Sequence, residues 1–503
     1  MMPQTVRPSV GPGQIVAEPV RAPLTPWAWA VAGVMFVALL ATASRYGYHR
    51  DELYFIQAGA HPAFGYPDQP PLVPLLCQAM QALAPGSLVL LRLPSALIAA
   101  STVVVAALTA REIGGTSRAQ LIAASCTAAS AFALATGHFV TTTTVDLLST
   151  TLLIWLVIRV VATGSARPLL WAGVVVGLGA EAKPQVAFVA LVLIVALTLV
   201  GPRWPLRSRW ALAGIGVAVI LAAPYLLWQA LNGWPQLTVA GNVAGSAEGG
   251  RAGFLPFQLV LVSPLLSVVW IVGLVALFRS LRAYRFLAVT YLLVAAAYLV
   301  GNGKAYYLAS LYPALLAAGA LPIDRWLSRG HARVRAIAAS VVIVISAAVS
   351  AVVALPLLPA SSLNGSAVLA LNPDQGETVG WPDFVSTVAS VWHGLPTGAV
   401  IFADNYGEAG AIDLFGPAKG LPAAYSGHNG FSSWGQPPGS RGPVIVLGFD
   451  PADAAQYFRG CNITATITNA SGVHNDEYDG PVLVCSAPRA SWSALWSQLT
   501  HYN

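Results

Sequence analysis

The residues best suited to chemistry are concentrated in the stretch 46–76, YGYHRDELYFIQAGAHPAFGYPDQPPLVPLL, which directly follows the first hydrophobic segment. Ionisable side chains stand there among apolar and aromatic residues: His49, Arg50, Asp51, Glu52 and Asp68. Charged groups at a membrane boundary cost free energy unless they are paired or hydrated, so this cluster is a functional hypothesis by default. A carboxylate such as Asp51 can accept a proton from a hydroxyl nucleophile or orient that nucleophile. The alternative is that Asp51 and Glu52 cap a short helix, because acidic residues favour helix N-termini.

A second carboxylate, that of Asp68, lies in the turn GYPDQPP at 65–71. This sequence motif is a more specific signal of function than an adjacent acidic pair. Proline is well tolerated at the start of a helix, so Pro70 and Pro71 predict an interfacial helix that begins there. Asp68 would then be held at a rigid turn beside the membrane surface.

The composition places these residues in a polytopic membrane protein. Of 503 residues, 56% are hydrophobic and only 9% are charged, whereas soluble domains contain about 25% charged residues. The formal net charge of +6 comes from cations scattered through short loops. No basic stripe with interleaved aromatic residues is present, which excludes a nucleic-acid partner.

Eleven transmembrane helices follow from segments of about 20 apolar residues. The first span is 27–43, and the others lie near 88–110, 120–137, 147–163, 169–181, 185–200, 211–228, 257–278, 286–300, 305–322 and 336–358. With the N-terminus inside, most cations of the short loops fall on the cytoplasmic side. The exceptions on the outer side are Arg45, Arg50, Arg92, Lys183, Arg251 and Lys304. We therefore expect that something on the outer face requires positive charge.

Three regions result from this reading. We predict that residues 1–26 are a disordered cytoplasmic tail and that residues 27–358 form a transmembrane domain with a first outer loop at 44–87. Residues 359–503 are predicted to form a small extracytoplasmic α/β domain. In the last region β-like runs occur at 399–403, 443–447, 463–467 and 481–485, and a helix is predicted over 405–415. Cys461 and Cys485 form either a disulfide or two free thiols.

The run HRDELYF followed by GYPDQPPL resembles the polyprenyl-phosphate-sugar-dependent glycosyltransferases of the GT-C type, such as the protein O-mannosyltransferases and the lipid A aminoarabinose transferases. The resemblance covers roughly the first 320 residues and is strongest at 46–76. It implies an outer-face active site and direct sugar transfer with inversion. It assigns Asp51 as the base or acceptor-orienting residue. The substrate-binding candidates are Glu52, Asp68, Arg50, Tyr66 and Asp146.

Two weaker matches concern the lipid phosphate. Glu181-Ala182-Lys183-Pro184 resembles a family segment in which a cation meets that phosphate, but Ala182 departs from the family pattern. Gly303 to Pro313 resembles the family segment Lys/Arg-x-Tyr-Tyr-Leu-x-x-x-x-Pro, which makes Lys304 and Tyr306 candidates. A departing phosphate needs its charge offset, and cations on the outer face can do that. The alternative for both lysines is snorkelling at the membrane edge.

Other polar residues remain open between two roles. Asp146 could bind an acceptor, pair with Arg50 or cap its helix. Residues of the last region mix acids, amides and aromatic rings that suit sugar hydroxyls and faces, or else form a plain loop: Asp404, Asn405, Glu408, His428 and Trp434. No His, Asp and Glu cluster has metal-ligand spacing, so we predict neither a metal nor another cofactor.

The sequence therefore predicts a membrane glycosyltransferase that uses a polyprenyl-phosphate-linked sugar, membrane lipid, and a glycan, lipid or protein acceptor. The absence of a dinucleotide fingerprint and of a P-loop agrees with a lipid-linked donor. The dominance of Arg over Lys indicates a bacterial sequence, and hence a multi-pass protein of the bacterial plasma membrane. Two rivals are a transporter or lipid flippase, and an anchored sensor whose outer domain binds glycan. The sugar, the acceptor, the prenyl length and the oligomeric state are not set by the sequence.

Overall fold

The computed structural model describes residues 22–246, 250–439 and 442–503. The tail predicted at 1–26 lies almost wholly outside these ranges. The helices that precede the sheet are α1 (Pro26–Thr42), α2 (Arg50–Ala60), α3 (Leu72–Leu83), α4 (Leu88–Glu112), α5 (Ser117–Ala128), α6 (Ala131–His138), α7 (Thr142–Thr163), α8 (Pro168–Ala180), α9 (Gln185–Val200), α10 (Arg209–Leu231), α11 (Pro235–Ser246), α12 (Gly250–Val262), α13 (Ser267–Arg279), α14 (Arg285–Val300), α15 (Tyr312–Leu327), α16 (Ala332–Ala354), α17 (Ala367–Leu371) and α18 (Trp381–Trp392).

The remaining elements belong to the C-terminal domain. They are β1 (Val400–Ala403), α19 (Tyr406–Phe415), β2 (Tyr425–Ser426), β3 (Val444–Leu447), α20 (Pro451–Tyr457), β4 (Phe458–Arg459), β5 (Asn462–Thr466), β6 (Pro481–Cys485), β7 (Ala487–Pro488) and α21 (Trp492–Leu499).

Six helical segments of the described ranges are long and apolar enough to cross a membrane. They are α4, α7, α10 and α16, and the segments Arg282–Val300 and Ala305–Leu327, in which a 3-10 turn precedes α14 and α15. The pairs α5 with α6 and α12 with α13 are bent by 58° and 105°, and the number rises to eight if each pair is one span. Eight of the eleven predicted spans overlap one of these helices or pairs. The other three correspond to α1, α8 and α9, which contain only 17, 13 and 16 residues. Since a perpendicular crossing takes about 20 residues, the count of eleven stays a prediction. The chain is a multi-pass helical membrane protein.

Small residues let the long helices approach closely. A Cβ placed on Gly273 of α13 would collide with the backbone of α15, and one on Gly319 of α15 would collide with the backbone of α13. Gly173 of α8 and Gly214 of α10 face each other in the same way. Within a bilayer, van der Waals contact of this kind takes the place of the hydrophobic effect as the force between helices. These contacts fix the frame that carries the outer loops.

The C-terminal domain is built on a five-stranded sheet in the order β2-β1-β3-β6-β5. The strand β1 pairs in parallel with β2 and β3, whereas β6 pairs antiparallel with β3 and β5. The predicted strands and the helix at 405–415 all appear within one or two residues, so the small α/β domain is confirmed as a fold. Cys461 and Cys485, whose state the sequence left open, form a disulfide.

Two elements position the first outer loop. The helix α3 begins at Leu72, directly after the two prolines that predicted it. The helix α2 packs against α19 of the C-terminal domain, where Gly407 and Gly410 approach Arg50 and Leu53. A Cβ on Gly407 would lie 2.8 Å from the Cβ of Arg50, so only glycine permits this distance between the helices. The C-terminal domain is therefore in direct contact with the segment that carries Asp51.

Candidate active site

The first turn of α2 is set by its own residues. His49 is the N-cap and its Nδ1 accepts a hydrogen bond of 3.2 Å from the backbone N–H of Asp51. The carboxylate of Glu52 accepts one of 2.9 Å from the backbone N–H of His49. This reciprocal arrangement is a capping box, which satisfies donors that a helix start leaves free. The expected capping role of the acidic pair is thus met by Glu52, and Asp51 points elsewhere.

Glu52 is held in an ion pair that is closed to solvent. Its Oε2 lies 2.7 Å from the guanidinium of Arg92, and the two side chains are 0% and 1% exposed. Its Oε1 accepts from Arg92 and from the backbone N–H of Val140. Arg92 also donates to the carbonyls of Ala43 and Gly47. We predicted substrate binding for Glu52, but every hydrogen bond described for its carboxylate is internal, so it ties the loop to α4.

Asp51 keeps an accessible carboxylate, with 33% of its side chain exposed. Its Oδ1 accepts a hydrogen bond of 2.8 Å from the hydroxyl of Tyr406, the first residue of α19. Burial raises the pKa of Asp51, but His49, Arg50, the Tyr406 hydrogen bond and the charge of Lys304 together bring that pKa below its usual value. Asp51 is therefore ionised at neutral pH and can accept a proton or a hydroxyl hydrogen bond.

Arg50 turns toward the C-terminal domain. Its Nη1 lies 3.2 Å from Asp476 and 3.8 Å from Glu377. Its side chain remains 31% exposed, so it can still contact a ligand beside Asp51. The pairing with Asp146 that the sequence allowed is wrong, because Arg50 is engaged by these two acids instead.

Asp68 is linked to Asp51 through two neighbouring tyrosines, Tyr54 and Tyr406. Its Oδ1 accepts a hydrogen bond of 2.6 Å from the hydroxyl of Tyr54, and the ring of Tyr54 is 4.8 Å from that of Tyr406. Burial raises the pKa of Asp68 to about 7, the Tyr54 hydrogen bond lowers it in part, and the charge of Asp51 adds to the increase. The two carboxylates are therefore close enough to interact and differ in protonation near neutral pH.

Tyr66, a predicted substrate-binding residue, stabilises the turn that carries Asp68. Its hydroxyl donates to the backbone carbonyl of Ala58 at 2.6 Å, and only 2% of the residue is exposed. Its backbone N–H donates to the carbonyl of Gln69 at 2.9 Å. These bonds give Tyr66 a structural role, and its contact with substrate stays a prediction.

The break between α8 and α9 places Lys183 beside two aromatic rings. Its Nζ donates to the hydroxyl of Thr143 at 2.9 Å and lies 5.3 Å and 4.8 Å from the ring centres of Tyr306 and Tyr307. Lys304, one residue before the turn that carries those tyrosines, is exposed and acts electrostatically on Lys183 and on Asp51. The sequence-predicted cations Lys183 and Lys304 are therefore brought near each other, with the ring of Tyr306 beside Lys183 and the charge of Lys304 acting on Asp51.

Asp146 is buried inside α7 and has no exposed surface. It accepts hydrogen bonds from Gln185 at 2.8 Å and from Thr150 at 3.3 Å. Thr141, not Asp146, caps the helix. Contact with an acceptor, which the sequence allowed, would require an opening to this carboxylate. Its negative charge instead supports the nearby Lys183.

The candidates of the C-terminal domain separate into two groups. Asn405 and Glu408 form the capping box of α19 and hold Tyr406 at its first position, which gives them a structural role. Their contact with an acceptor stays a prediction. His428 is 4% exposed, and its Nδ1 accepts from the backbone N–H of Tyr406 at 3.3 Å. Burial lowers the pKa of His428 to about 3, so it is neutral and suited to accept that bond.

Trp434 and Asp404 are the two candidates of this domain that remain to be placed, and both are partly exposed. The ring of Trp434 stacks on His61 at 4.5 Å and lies 6.0 Å from the ring of Tyr54. Asp404 follows β1 and is partly exposed. Among the described residues no group of three His, Cys, Asp or Glu side chains is arranged to hold a metal ion. Tyr406 is the functional candidate that sequence reasoning missed, since one tyrosine in a polar segment carries no signal of its own.

These helices, the acidic first loop and the appended sheet define the GT-C glycosyltransferase fold. A crystal structure of ArnT from Cupriavidus metallidurans in the apo state superposes with a TM-score of 0.62 at 14% identity, over 92% of this chain and 98% of that chain. The structure of ArnT from Cupriavidus metallidurans bound to undecaprenyl phosphate gives a TM-score of 0.61 at 14% identity, with the same coverage. The arabinofuranosyltransferase AftD from Mycobacteria gives a TM-score of 0.50 at 14% identity, over 93% of this chain and 42% of that one.

The sequence points to the same group over a shorter range. Residues 68–228 match the family described as dolichyl-phosphate-mannose-protein mannosyltransferase. This segment contains Asp68, Asp146 and Lys183. No curated protein sequence matches the chain. The predicted resemblance to the polyprenyl-phosphate-sugar-dependent GT-C glycosyltransferases is confirmed.

Proposed function

We propose that the protein is a glycosyltransferase that moves a monosaccharide from a polyprenyl-phosphate donor to an acceptor hydroxyl on the extracytoplasmic face, with inversion at the anomeric carbon. The observation that carries this proposal is one ionised carboxylate, Asp51, that interacts electrostatically with Lys304, whose ammonium group in turn interacts with that of Lys183. A base next to an anion-binding pair is what an attack with a phosphate leaving group requires.

The reaction follows from this placement. The acceptor oxygen attacks the anomeric carbon from the face opposite the phosphate, and a new carbon–oxygen bond forms. The acceptor proton passes to the carboxylate of Asp51. The bond between the anomeric carbon and the phosphate oxygen breaks, and its electron pair leaves with the polyprenyl phosphate. Lys183 and Lys304 offset the charge that develops on this leaving group.

The lipid part of the proposal is supported by the surroundings of Lys183. Its ammonium lies over two tyrosine rings, Tyr306 and Tyr307, at the end of apolar helices, so a phosphate there would have its prenyl chain against apolar surface. The Cupriavidus ArnT structure holds undecaprenyl phosphate on the same fold. We place the site at the outer face of a bacterial plasma membrane, with the N-terminus cytoplasmic and the C-terminal domain outside, as the distribution of cations favours.

The acceptor is proposed to approach the exposed part of the Asp51 carboxylate, beside its contact with the C-terminal domain. Tyr406, Trp434 and Asp68 lie on this side of Asp51, linked through Tyr54, and rings and a carboxylate suit the faces and hydroxyls of a glycan. Arg50 stands at the same opening and can contact the acceptor or the phosphate. A lipid or protein acceptor that presents a hydroxyl fits the same chemistry.

The test uses the purified full chain in detergent, with labelled polyprenyl-phosphate sugars and a membrane extract as the source of acceptor. We expect label to leave the lipid with the wild type and Asp51→Asn to slow this by at least a hundredfold, within the usual range for loss of a general base. Asp476→Asn is the matched control, because it removes an exposed carboxylate near Arg50 without touching Asp51. Equal rates for wild type and Asp51→Asn would overturn the assigned role.

The rival classes give different outcomes in the same preparation. A transporter or flippase would move the intact lipid-linked sugar between leaflets of a liposome and would leave its sugar–phosphate bond uncut. A glycan sensor would retain binding in Asp51→Asn and would release no polyprenyl phosphate. Either result would replace the proposed activity.

A further inference from the structure

Two short loops at the end of the helix bundle opposite the candidate active site are rich in arginine. The helix α9 begins two residues after Lys183 and ends at Val200, so the loop that follows it lies about 24 Å from Lys183 along the helix axis. This first loop, 201–208, joins α9 to α10, and the second, 280–284, joins α13 to α14. The arginines in or next to the two loops are all exposed, and we call them the arginine patch: Arg203, Arg207, Arg209, Arg279, Arg282 and Arg285.

Hydrogen bonds hold the two loops together at the end of α9. Nε of Arg285, at the start of α14, donates to the carbonyl of Val200 at 2.8 Å. Nε of Arg203 donates to the carbonyl of Thr198 at 2.8 Å. These two arginines thus satisfy carbonyls that the end of a helix leaves free. The other four side chains donate no hydrogen bond within the part of the chain that the structure describes: Arg207, Arg209, Arg279 and Arg282.

Among the described residues, no carboxylate neutralises the arginine patch. Between residues 182 and 323 the sequence contains one acidic residue, Glu248, which belongs to neither loop. Elsewhere at the same end of the bundle arginines form ion pairs, Arg118 with Asp324 and Arg159 with Glu112. Exposed charges of one sign repel each other and create a positive potential over the surface. The arginine patch therefore attracts an anionic partner.

Apolar side chains border the arginine patch. Trp204, in the first loop, is 43% exposed, and Phe278, near the end of α13, is 44% exposed. Leu212, in the first turn of α10, is 71% exposed. The guanidinium of Arg209 lies over the ring of Trp210 at 5.3 Å. Tryptophan at the ends of membrane helices is typical of the level of the lipid headgroups. The charged surface thus lies at that level, and the apolar surface beside it faces the acyl chains.

This combination selects an amphipathic anion. Guanidinium groups match the geometry of a phosphate and bind it through paired hydrogen bonds. A free phosphate would use these groups alone and would leave Trp204 and Leu212 uncovered. A phospholipid places its phosphate among the arginines and its acyl chains along α10, so it covers both surfaces. Clusters of roughly four to eight basic residues beside a transmembrane helix are typical of the recognition of anionic lipids.

We infer that the arginine patch binds the headgroups of anionic phospholipids, at a site separate from the polyprenyl-phosphate site proposed around Lys183. The inference goes beyond the proposed function, because it concerns the other end of the bundle and involves no bond cleavage. The lipid bound there bridges the loop after α9 and the loop after α13.

The test measures lipid binding to the triple variant Arg207→Gln/Arg279→Gln/Arg282→Gln. The purified full chain in detergent is titrated with phosphatidylglycerol, and bound lipid is counted by native mass spectrometry. Phosphatidylcholine with the same acyl chains is the comparison without net charge. Each arginine near an anionic membrane surface contributes about a fivefold factor in affinity. We therefore expect the triple variant to bind phosphatidylglycerol about a hundredfold more weakly and phosphatidylcholine as the wild type does.

The matched control is Arg325→Gln/Arg329→Gln/Arg333→Gln, which removes the same charge from exposed arginines that follow Asp324 at the same end of the bundle. This control should keep the tightest phosphatidylglycerol binding of the wild type. An equal loss in the two variants would show that net charge alone attracts the lipid, and it would overturn the inference.

Thermal unfolding and ionic strength give readouts that do not depend on the count of bound lipid. The three replaced side chains donate no described hydrogen bond, so the unliganded triple variant should unfold at the wild-type temperature. Phosphatidylglycerol should raise that temperature more in the wild type than in the variant, because a ligand of the native state stabilises it. In the wild type, added salt should weaken the binding of phosphatidylglycerol, and binding that salt leaves unchanged would contradict the role of the arginines.

The source of the phosphate is decided by soluble probes. Glycerol phosphate carries the same charged group without acyl chains, and it should protect the wild type far less than phosphatidylglycerol at equal concentration. Equal protection would replace the lipid by a free phosphate ligand. Equal binding of phosphatidylglycerol and phosphatidylcholine to the wild type would refute the patch. A failure of sugar transfer from polyprenyl phosphate would leave all of these lipid measurements unaffected, so the proposed function and this inference fail separately.

Discussion

Tyr406 provides the sharpest test of how the C-terminal domain takes part in the chemistry. The substitution Tyr406→Phe removes one hydroxyl, whose hydrogen bond to Asp51 is 2.8 Å long. The phenylalanine ring can keep the packing against Tyr54 at 4.8 Å and against His428 at 4.6 Å. The fold should therefore be preserved while the carboxylate loses a donor that fixes its orientation.

The size of the effect follows from the exposure of the pair. A hydrogen bond to a charged group contributes about 1.5 to 3 kcal/mol. The Asp51 side chain is 33% exposed, so water can replace part of the lost interaction and the lower end of that range applies. About 1.5 kcal/mol corresponds to roughly a tenfold decrease in rate. We expect this decrease in kcat, with little change in the KM for the lipid donor.

The pH profile gives an independent readout. The hydrogen bond from Tyr406 is one of the causes that lower the pKa of Asp51, and burial acts in the opposite direction. Its removal raises that pKa, so the acidic limb of the transfer rate should move to higher pH. Sugar transfer from the lipid donor, followed from acidic to alkaline pH, measures both effects. Tyr425→Phe, on strand β2, is the control, and a wild-type kcat with an unmoved limb in Tyr406→Phe would refute the reasoning.

Three further changes test other parts of the structure. Lys183→Met should weaken the binding of free polyprenyl phosphate about tenfold, because it removes a charged donor, and an unchanged Kd in titrations would contradict this. Gly410→Val should destabilise the protein by about 1 to 3 kcal/mol through overpacking, since a Cβ there already meets Leu53 at 3.0 Å; thermal unfolding beside Gly439→Val, which has open space, measures it. Burial raises the pKa of Glu408 from 4.5 to about 8, so the folded domain favours the protonated acid and loses stability as pH rises between these values. Glu408→Gln should flatten that loss in unfolding curves across this interval, and an unchanged slope would exclude it.

Local pattern accounts for much of what the sequence predicted. The long apolar segments became α4, α7, α10, α14, α15 and α16, because burial in lipid requires a helix of this length. The Pro-Pro turn placed the start of α3, and the short β-branched runs became β1, β3, β5 and β6. The sequence of the first outer loop also predicted that Asp51 and Asp68 belong to one site near cations of the outer side.

Contacts between distant segments account for what was missed. Glu52 and Arg92 were both noted as charged residues of the outer side, yet only the folded structure shows that they form an ion pair with each other. Tyr406 reaches Asp51 because the glycines of α19 let that helix pack closely against α2. Such pairings depend on the tertiary fold, and spacing along one chain does not encode them.

The docking of α19 on α2 also sets an order in time. The contact between Asp51 and Tyr406 joins residues 355 positions apart, and N-terminal parts of a chain generally fold first during synthesis. A nascent chain therefore presents Asp51 long before its tyrosine partner has been made. The hydroxyl reaches the carboxylate only after the intervening helices are inserted and the sheet domain has closed on α2. Full activity is thereby delayed until the molecule has completed its own assembly.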